Sequence, residues 1–316
     1  MSTREPFDWV TEETQTFLSR GYLSEGEDAL TRIRAIADHA ETLLGIDGFA
    51  DKFYEYMGKG WYSLSSPVWA NYGKKRGLPV SCFGSYIDDN IESILSTSAE
   101  VGEMSKMGGG TSGYFGNIRG RGAPITDNGE APGAVHFMRL FESIVDNISQ
   151  GSTRRGRFSP YLPLDHPDAI EFLDIGTEGA PIQELTHAVT VSDEFMEAMI
   201  DGDSDKRQRW AKVIQRRGEI GYPYIMFTDT MNKKAPDVYK ERGAKITHSN
   251  LCSEIALADS SDESFVCVLS SMNVLHYDEW KDTDAVETMV YFLDSVVTEF
   301  LTKLETIRDN GTPEGK

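Results

Sequence analysis

One short stretch of the sequence carries three side chains that could act together on a small molecule. The stretch 250–254 (Asn-Leu-Cys-Ser-Glu) runs into the apolar residues 255–257, which predicts a short strand entering a core. Alternate residues of a strand face the same side, so Asn250, Cys252 and Glu254 would form a row with Cβ atoms roughly 6.5–7 Å apart. An amide, a sulfur and a carboxylate at that spacing could contact a molecule the size of a sugar. Taken alone, the pattern is more typical of a buried cysteine between polar edge residues, and the rest of the chain reverses that balance.

The composition is that of an acidic chain with few cysteines. Its 316 residues are 39% hydrophobic, which is enough for a sizeable core and one or two domains. The formal charge of −20 disfavours polynucleotides and anionic membranes as partners, although a local basic cluster could bind a phosphorylated small molecule. The sequence has no run of about 18 apolar residues and no secretory signal. Three cysteines, an odd and sparse number, favour thiol chemistry in a reducing compartment, so we expect a cytoplasmic protein.

Helices and strands alternate along the chain and must position these residues. Residues 7–65 are predicted as a helical packing layer, since apolar residues recur at helical spacing between 29 and 44. Further helices are predicted at about 88–107, 133–148 and 285–307, and strands at 77–83, 187–191, 222–227 and 265–273. This alternation predicts a largely parallel α/β sheet or barrel.

Two loops combine glycine with groups suited to nucleotides. Residues 108–113 include four glycines, which allow close backbone approach to a ligand, although a flexible linker has the same composition. The segment lacks the sequence of a nucleoside-triphosphatase phosphate loop. Residues 149–157 include three arginines within four positions, and planar guanidinium groups suit phosphate and base recognition. A solvated basic turn is the ordinary alternative for this second loop.

Together these motifs resemble the large, catalytic subunit of class I ribonucleotide reductase, from about residue 50 onward. The segments that carry the resemblance occur in the family's order: 65–67, 81–82, 108–113, 149–156, 250–254 and 267–270. The resemblance implies an α/β fold that is the N-terminal half of a ten-stranded α/β barrel, in residues 65–316. A small helical region in residues 1–64 would precede it, without a full ATP-cone and its overall-activity nucleotide site. We therefore expect the first part of a split or truncated reductase, incomplete at its C-terminus.

The resemblance also implies a role for each cysteine. Cys252 corresponds to the thiyl-radical position that takes the 3′ hydrogen from the ribose, and Glu254 to the base on the 3′ hydroxyl. Asn250 corresponds to a residue that holds the ribose in orientation. Cys82 and Cys267 correspond to the thiol pair that reduces the 2′ carbon and becomes a disulfide, which requires Cα atoms within about 7 Å. The implied substrate-binding residues are Ser66, Ser81 and Gly110.

Regulation and partners follow from the same resemblance. A deoxynucleoside triphosphate or ATP would bind as an allosteric effector at the interface of a homodimer. No cofactor or metal would bind to the chain itself, because the radical comes from a dimetal centre on a separate small subunit. Reduction of ribonucleoside diphosphates would further require the C-terminal half of the large subunit and a thioredoxin or glutaredoxin type reductant. The implied effector residues are Asp89, then Arg119 and Arg121 of a first loop, then Gln150, Arg154 and Arg155 of a second.

Three other interpretations remain open from the sequence. The chain could be a non-catalytic fragment that binds effector and assembles, although the complete set of cysteines argues against this. It could belong to the cobalamin-dependent class of the same family, although Leu251 favours class I. It could also be a thiol hydrolase, since His248 lies four residues from Cys252 and would share its face on a strand, but no signature of such enzymes surrounds the pair.

Overall fold

The computed structural model describes residues 5–151 and 153–309, so Ser152 of the second loop and residues 310–316 lie outside the described part. The helices are α1 (Glu12–Ser19), α2 (Ala29–Leu44), α3 (Phe49–Gly58), α4 (Ser66–Asn71), α5 (Ile91–Lys106), α6 (Ala134–Asn147), α7 (Ala169–Phe172), α8 (Asp193–Asp201), α9 (Ser204–Ile220), α10 (Thr228–Lys234), α11 (Asp237–Arg242), α12 (Tyr277–Trp280) and α13 (Ala285–Asp309). The strands are β1 (Tyr62–Leu64), β2 (Cys82–Ser85), β3 (Gly110–Tyr114), β4 (Phe158–Pro163), β5 (Ala188–Val191), β6 (Tyr224–Phe227), β7 (Phe265–Cys267) and β8 (Ser270–Met272).

Six strands form one curled sheet in the order β6-β5-β4-β3-β2-β7. Strands β2 to β6 are parallel, and β7 pairs with β2 in the antiparallel sense. A helix follows each of β2 to β5 and provides the crossover connection that parallel neighbours need. The prediction of an α/β fold that is half of a barrel is confirmed by this sheet.

The sheet is covered by helices whose apolar residues recur at helical spacing. In α6, the side chains of Val135, Met138 and Phe141 are buried on one face. The ring of Phe141 stacks on Phe158 of β4 with centroids 4.8 Å apart. The predicted helix at 133–148 is therefore confirmed, with observed bounds Ala134–Asn147.

The helical layer near the N-terminus packs against the last helix. Phe53 of α3 and Phe292 of α13 stack with ring centroids 4.4 Å apart. Buried Arg32 of α2 donates hydrogen bonds to the carbonyls of residues 68, 69 and 72 at the end of α4. One core therefore joins the first helices to the last, and the boundary at residue 64/65 remains a prediction. Among the helices described, none is both long and apolar enough to cross a membrane.

The stretch 250–254 is not a strand, so that prediction is wrong. It lies in a long loop, residues 244–264, that joins α11 to β7 and that we call the cysteine loop. The Ser253 amide donates to the Asn250 carbonyl at 3.2 Å, and Ser253 has a φ of 65°. Side chains such as asparagine and serine satisfy nearby backbone groups and so compete with a strand ladder. The loop consequently turns at the motif instead of extending through it.

Candidate active site

Two of the three cysteines face each other across neighbouring strands. Cys82 of β2 and Cys267 of β7 are directly paired in the antiparallel register, and both are buried. Such paired residues have Cα atoms about 4.5–5.5 Å apart, within the span of a disulfide. The hydrogen bond from Cys267 lowers the pKa of the Cys82 thiol. The same bond raises the pKa of Cys267, together with burial and the repulsion between two adjacent thiolates. The structure thus brings the predicted thiol pair together.

Asn250 joins this pair to the cysteine loop. Its Nδ2 donates to the Sγ of Cys82 at 3.3 Å and to Oε1 of Glu254 at 2.6 Å. Its Oδ1 accepts the backbone amide of Glu254 at 3.1 Å, which closes a small ring across the turn. Asn250 is fully buried, so its bond to Cys82 forms away from water, whereas Glu254 is exposed. One amide therefore fixes the carboxylate of Glu254 relative to the sulfur of Cys82.

Cys252 lies at the exposed tip of the same turn. Partial burial raises the pKa of its thiol, and the Glu254 carboxylate and the Cys82 sulfur add to the effect. The thiol is therefore protonated near neutral pH and retains a transferable S–H hydrogen. Asn250, Cys252 and Glu254 are close together as predicted, although a turn rather than a strand arranges them.

The predicted substrate residues fall in two places. Ser81 immediately precedes Cys82, is buried, and its hydroxyl has no hydrogen-bond partner in the described part of the chain. Gly110 begins β3 opposite Cys82, and a Cβ there would lie 2.8 Å from Cδ2 of Leu251. Ser66 begins α4 and lines a cavity of about 490 Å³ whose walls come largely from the helical layer. The assignment of all three to substrate remains a prediction.

The glycine-rich segment 108–113 is filled by protein side chains. A Cβ at Gly108 would lie 2.2 Å from Oε1 of Gln150, and one at Gly109 would lie 2.3 Å from the ring of Phe83. Most of the segment belongs to β3. The close approach that these glycines allow is therefore made by neighbouring strands and loops of the same chain.

The first predicted effector group lies beyond the carboxyl ends of β2 and β3. Arg119 contacts the Asp89 carboxylate through both its backbone amide, at 3.1 Å, and its Nε, at 2.6 Å. Arg121 forms two hydrogen bonds with the carboxylate of Glu171, at 3.1 and 2.6 Å. Both guanidinium groups are partly exposed, so an anionic ligand could exchange with these carboxylates.

The second group lies at the opposite end of the strands, before β4. Gln150 donates from Nε2 to Oδ1 of buried Asn71 at 2.8 Å. The charge of Arg154 lies close enough to lower the pKa of both Cys82 and Cys252. Arg155 is exposed beside a small cleft of about 200 Å³ that Glu142 and Glu184 also line. Within one chain the six predicted effector residues are therefore divided between two ends of the sheet.

Comparison with protein-family models shows which family this chain matches. The model of the ribonucleotide reductase barrel domain matches residues 80–206 and 202–313. The chain belongs to the ribonucleotide reductase family. This confirms the resemblance drawn from the six motifs, and the matched residues include all three cysteines and both loops.

Individual reductases resemble this chain to different degrees. The class Id ribonucleotide reductase alpha subunit of Actinobacillus ureae superposes with a TM-score of 0.89 and 54% identity, over 95% of this chain and 56% of that one. A Frog virus 3 (isolate Goorha) protein, provisionally named ribonucleoside-diphosphate reductase large subunit, is 32% identical over 92% of this chain and 53% of its own length. The vitamin B12-dependent ribonucleoside-diphosphate reductase of Mycobacterium tuberculosis (strain ATCC 25618 / H37Rv) is 30% identical over 79% of this chain and 38% of its own. The chain spans about half the length, or less, of these reductases.

The structure adds contacts to the reductase site that the sequence did not indicate. Asn71 holds Gln150, and the hydroxyl of Tyr161 in β4 donates to the carbonyl of Asn250 at 2.6 Å. Tyr161 lies 89 positions from Asn250, so the sequence offers no local signal for the second contact. The first joins residues 79 positions apart, for which the sequence offers no signal.

The geometry gives no support to a cysteine–histidine hydrolase. His248 is fully buried among the rings of Tyr114, Tyr161 and Phe265, and burial lowers its pKa to about 3. Within the described ranges no hydrogen bond joins it to Cys252. The same ranges contain no group of three or more His, Cys, Asp or Glu side chains arranged to hold a metal ion.

Proposed function

We propose that this chain provides the thiol centre of a ribonucleoside-diphosphate reductase, which converts ribonucleotides to deoxyribonucleotides for DNA synthesis. The observation that carries the proposal is the position of Asn250, whose single amide contacts both Cys82 and Glu254 while Cys82 is paired with Cys267. A lone cysteine between polar residues would need none of these contacts. The relatives' names point to the same reaction.

The chemistry divides between the three thiols. A thiyl radical at Cys252 takes the 3′ hydrogen of the ribose and later returns it, while Glu254 accepts the proton of the 3′ hydroxyl. The 2′ hydroxyl leaves as water after it is protonated. Cys82 and Cys267 supply two electrons and two protons to the 2′ carbon and the leaving group, and their sulfurs form a disulfide. A protonated Cys252 suits this role, since the radical is regenerated from an S–H bond.

The proposed partners complete the site. The part of the relatives' length that this chain does not cover would supply the rest of the barrel. A radical-generating small subunit and a thioredoxin or glutaredoxin type reductant would act with the assembled enzyme in the cytoplasm. We favour class I over the cobalamin-dependent class, because the class Id alpha subunit is 54% identical and the vitamin B12-dependent relative 30%. A dimetal centre on the small subunit would then be the radical source.

We further propose that a deoxynucleoside triphosphate or ATP binds at Asp89, Arg119 and Arg121, in a homodimer. The phosphates would bind the two guanidinium groups and displace Glu171 from Arg121, while Asp89 would contact the effector itself. The second loop, with Gln150, Arg154 and Arg155, would carry the effect of binding to the thiol end of the strands. Weaker effector binding by Arg119→Gln, measured by calorimetry, tests this assignment.

The main experiment measures deoxynucleotide formation in a mixture of this chain, the complementary part of a class I large subunit and its small subunit. Cys252→Ser is expected to abolish turnover, because serine cannot form the equivalent radical. Ser261→Ala, an exposed residue of the same loop, is the matched control and should leave turnover unchanged.

Unaltered turnover by Cys252→Ser would sink the proposal. Effector binding and dimerisation without turnover by any mixture would instead support the non-catalytic interpretation. Activity that requires cobalamin and no small subunit would move the chain to the other class.

A further inference from the structure

The cysteine loop is held together by side chains across its two arms. Ser249 spans the arms near the tip: its Oγ donates to the Ile255 carbonyl at 2.5 Å and accepts the Ile255 amide at 3.0 Å. Asn250 forms a second bridge to Glu254. Each bridge replaces the backbone ladder that a strand pair would have. Cys252 lies at the exposed tip, between the residues that these bridges join.

A third bridge closes the base of the loop. The hydroxyl of Thr247 donates to Oδ1 of Asp259 at 2.7 Å and lies 3.1 Å from Nδ1 of His248. Since the Thr247 hydroxyl donates its one proton to Asp259, the Nδ1 contact requires the proton to come from His248, so Thr247 links the other two groups. The side chains of His248 and Asp259 are completely buried, so this bridge is shielded from water.

The arm that carries the bridges is itself fixed to the sheet. The hydroxyl of Tyr161 binds the Asn250 carbonyl, and Asn232 of α10 forms two hydrogen bonds with the backbone of Ile246, at 2.9 and 3.0 Å. The outgoing arm is bonded to the incoming arm through Thr247, Ser249 and Asn250. Its far end is held separately, by Arg242 at Glu263 and by Glu100 at Ser264. The position of Cys252 relative to Cys82 therefore depends on hydroxyl groups that do not contact the thiols.

We propose that Thr247, Ser249 and Asp259 are positioning residues that set the place of Cys252 for hydrogen transfer, by holding the two arms of the cysteine loop at a fixed separation. The inference rests on the proposed function, since it takes Cys252 as the reacting group. None of the three residues was assigned a role by the sequence motifs. Misplacement of a reacting group by about 1 Å lowers catalysis by up to about 100-fold.

The test uses two independent readouts on the same variants. The first is the rate at which iodoacetamide alkylates each cysteine of the chain, followed by mass spectrometry, with the buried Cys82 and Cys267 as internal references. The second is the split of kcat and KM in the reconstituted mixture. Thr247→Val removes the hydroxyl and keeps the shape, whereas Thr247→Ser keeps the hydroxyl.

Thr247→Val should raise the alkylation rate of Cys252 about fivefold, the change expected for loss of one hydrogen bond, without changing Cys82 or Cys267. In the mixture it should lower kcat about 10-fold to 100-fold with little change in KM. Thr247→Ser should restore both values. Ser249→Ala breaks a different bridge and should act in the same direction, with Ser261→Ala as its control.

Two outcomes overturn the inference without affecting the proposed function. One is that Thr247→Val and Ser249→Ala leave both readouts unchanged. Another is that all three cysteines become reactive together, which indicates general loosening instead of positioning. The proposed function fails separately, when Cys252→Ser retains turnover.

Discussion

The paired cysteines and the single cysteine are held by different kinds of structure. Cys82 and Cys267 lie on strands, where the backbone ladder fixes their separation whatever the neighbouring side chains are. Cys252 lies on an irregular loop whose shape is set by side-chain bridges. The pair is buried and the single thiol is exposed. A disulfide needs only a short, fixed distance between two sulfurs. A thiol that reacts with substrate must be exposed and must also be held in a defined position.

The comparison predicts which disulfide forms. Mild oxidation should join Cys82 to Cys267 and leave Cys252 free, because only the first two are ladder partners. Cys267→Ser should abolish that disulfide, and Cys252→Ser should leave it intact. Mass spectrometry of unreduced peptides reads the outcome. A dominant disulfide between Cys82 and Cys252 would show that the strand pairing does not decide which thiols join.

A smaller effect on stability and on disulfide formation is expected when a larger side chain separates β2 from β7. Gly84 of β2 lies opposite Phe265 of β7, and a Cβ at Gly84 would lie 2.0 Å from that ring. Gly84→Ala should therefore lower the free energy of unfolding by about 1–3 kcal/mol and slow oxidation of the Cys82–Cys267 pair. Thermal unfolding and oxidation rates measure both effects.

The matched control for that change is Gly218→Ala in α9, where a Cβ would meet no atom within 4 Å. It should be neutral or stabilise by up to about 1 kcal/mol, since alanine favours a helix. Equal effects of the two substitutions would show that the β2–β7 contact does not limit oxidation.

The single thiol should respond to its neighbouring charge. Partial burial and then the Glu254 carboxylate raise the pKa of Cys252, so Glu254→Gln should lower that pKa and allow thiolate to form at lower pH. The pH profile of Cys252 alkylation should move towards lower pH. Glu263→Gln, at the far end of the cysteine loop, is the control and should leave the profile in place.

The smallest effect is expected where loop and sheet touch. A Cβ at Gly110 would lie 2.8 Å from Cδ2 of Leu251, the flexible end of a side chain that can move. Gly110→Ala should therefore cost about 1 kcal/mol of stability, and adding Leu251→Ala should remove the crowding part of that cost. Differential unfolding of the single and double variants measures this coupling. Additive effects would mean that the contact between Gly110 and Leu251 does not determine how closely the cysteine loop packs on β3.

The sequence by itself determined the secondary elements whose apolar residues repeat regularly, and the motifs that identify the family. The helix at 134–147 was predictable because its buried residues recur at helical spacing, a local property of the chain. The cysteines and their neighbours were also identifiable, since thiols, an amide and a carboxylate in the family's order leave few alternatives.

Tertiary structure decided how those residues meet. The sequence alone suggested a strand at 250–254, but Asn250 bonds to Glu254 within the turn and to Cys82, 168 positions away. The glycines of 108–113 looked suited to a ligand, and Gln150, Phe83 and Leu251 occupy the space beside them. Hydrogen bonding and packing between distant segments depend on the whole fold, because no local pattern records which side chain will be opposite. That is why the sequence identified the thiols, and only the folded chain arranged them into a pair and a single exposed group.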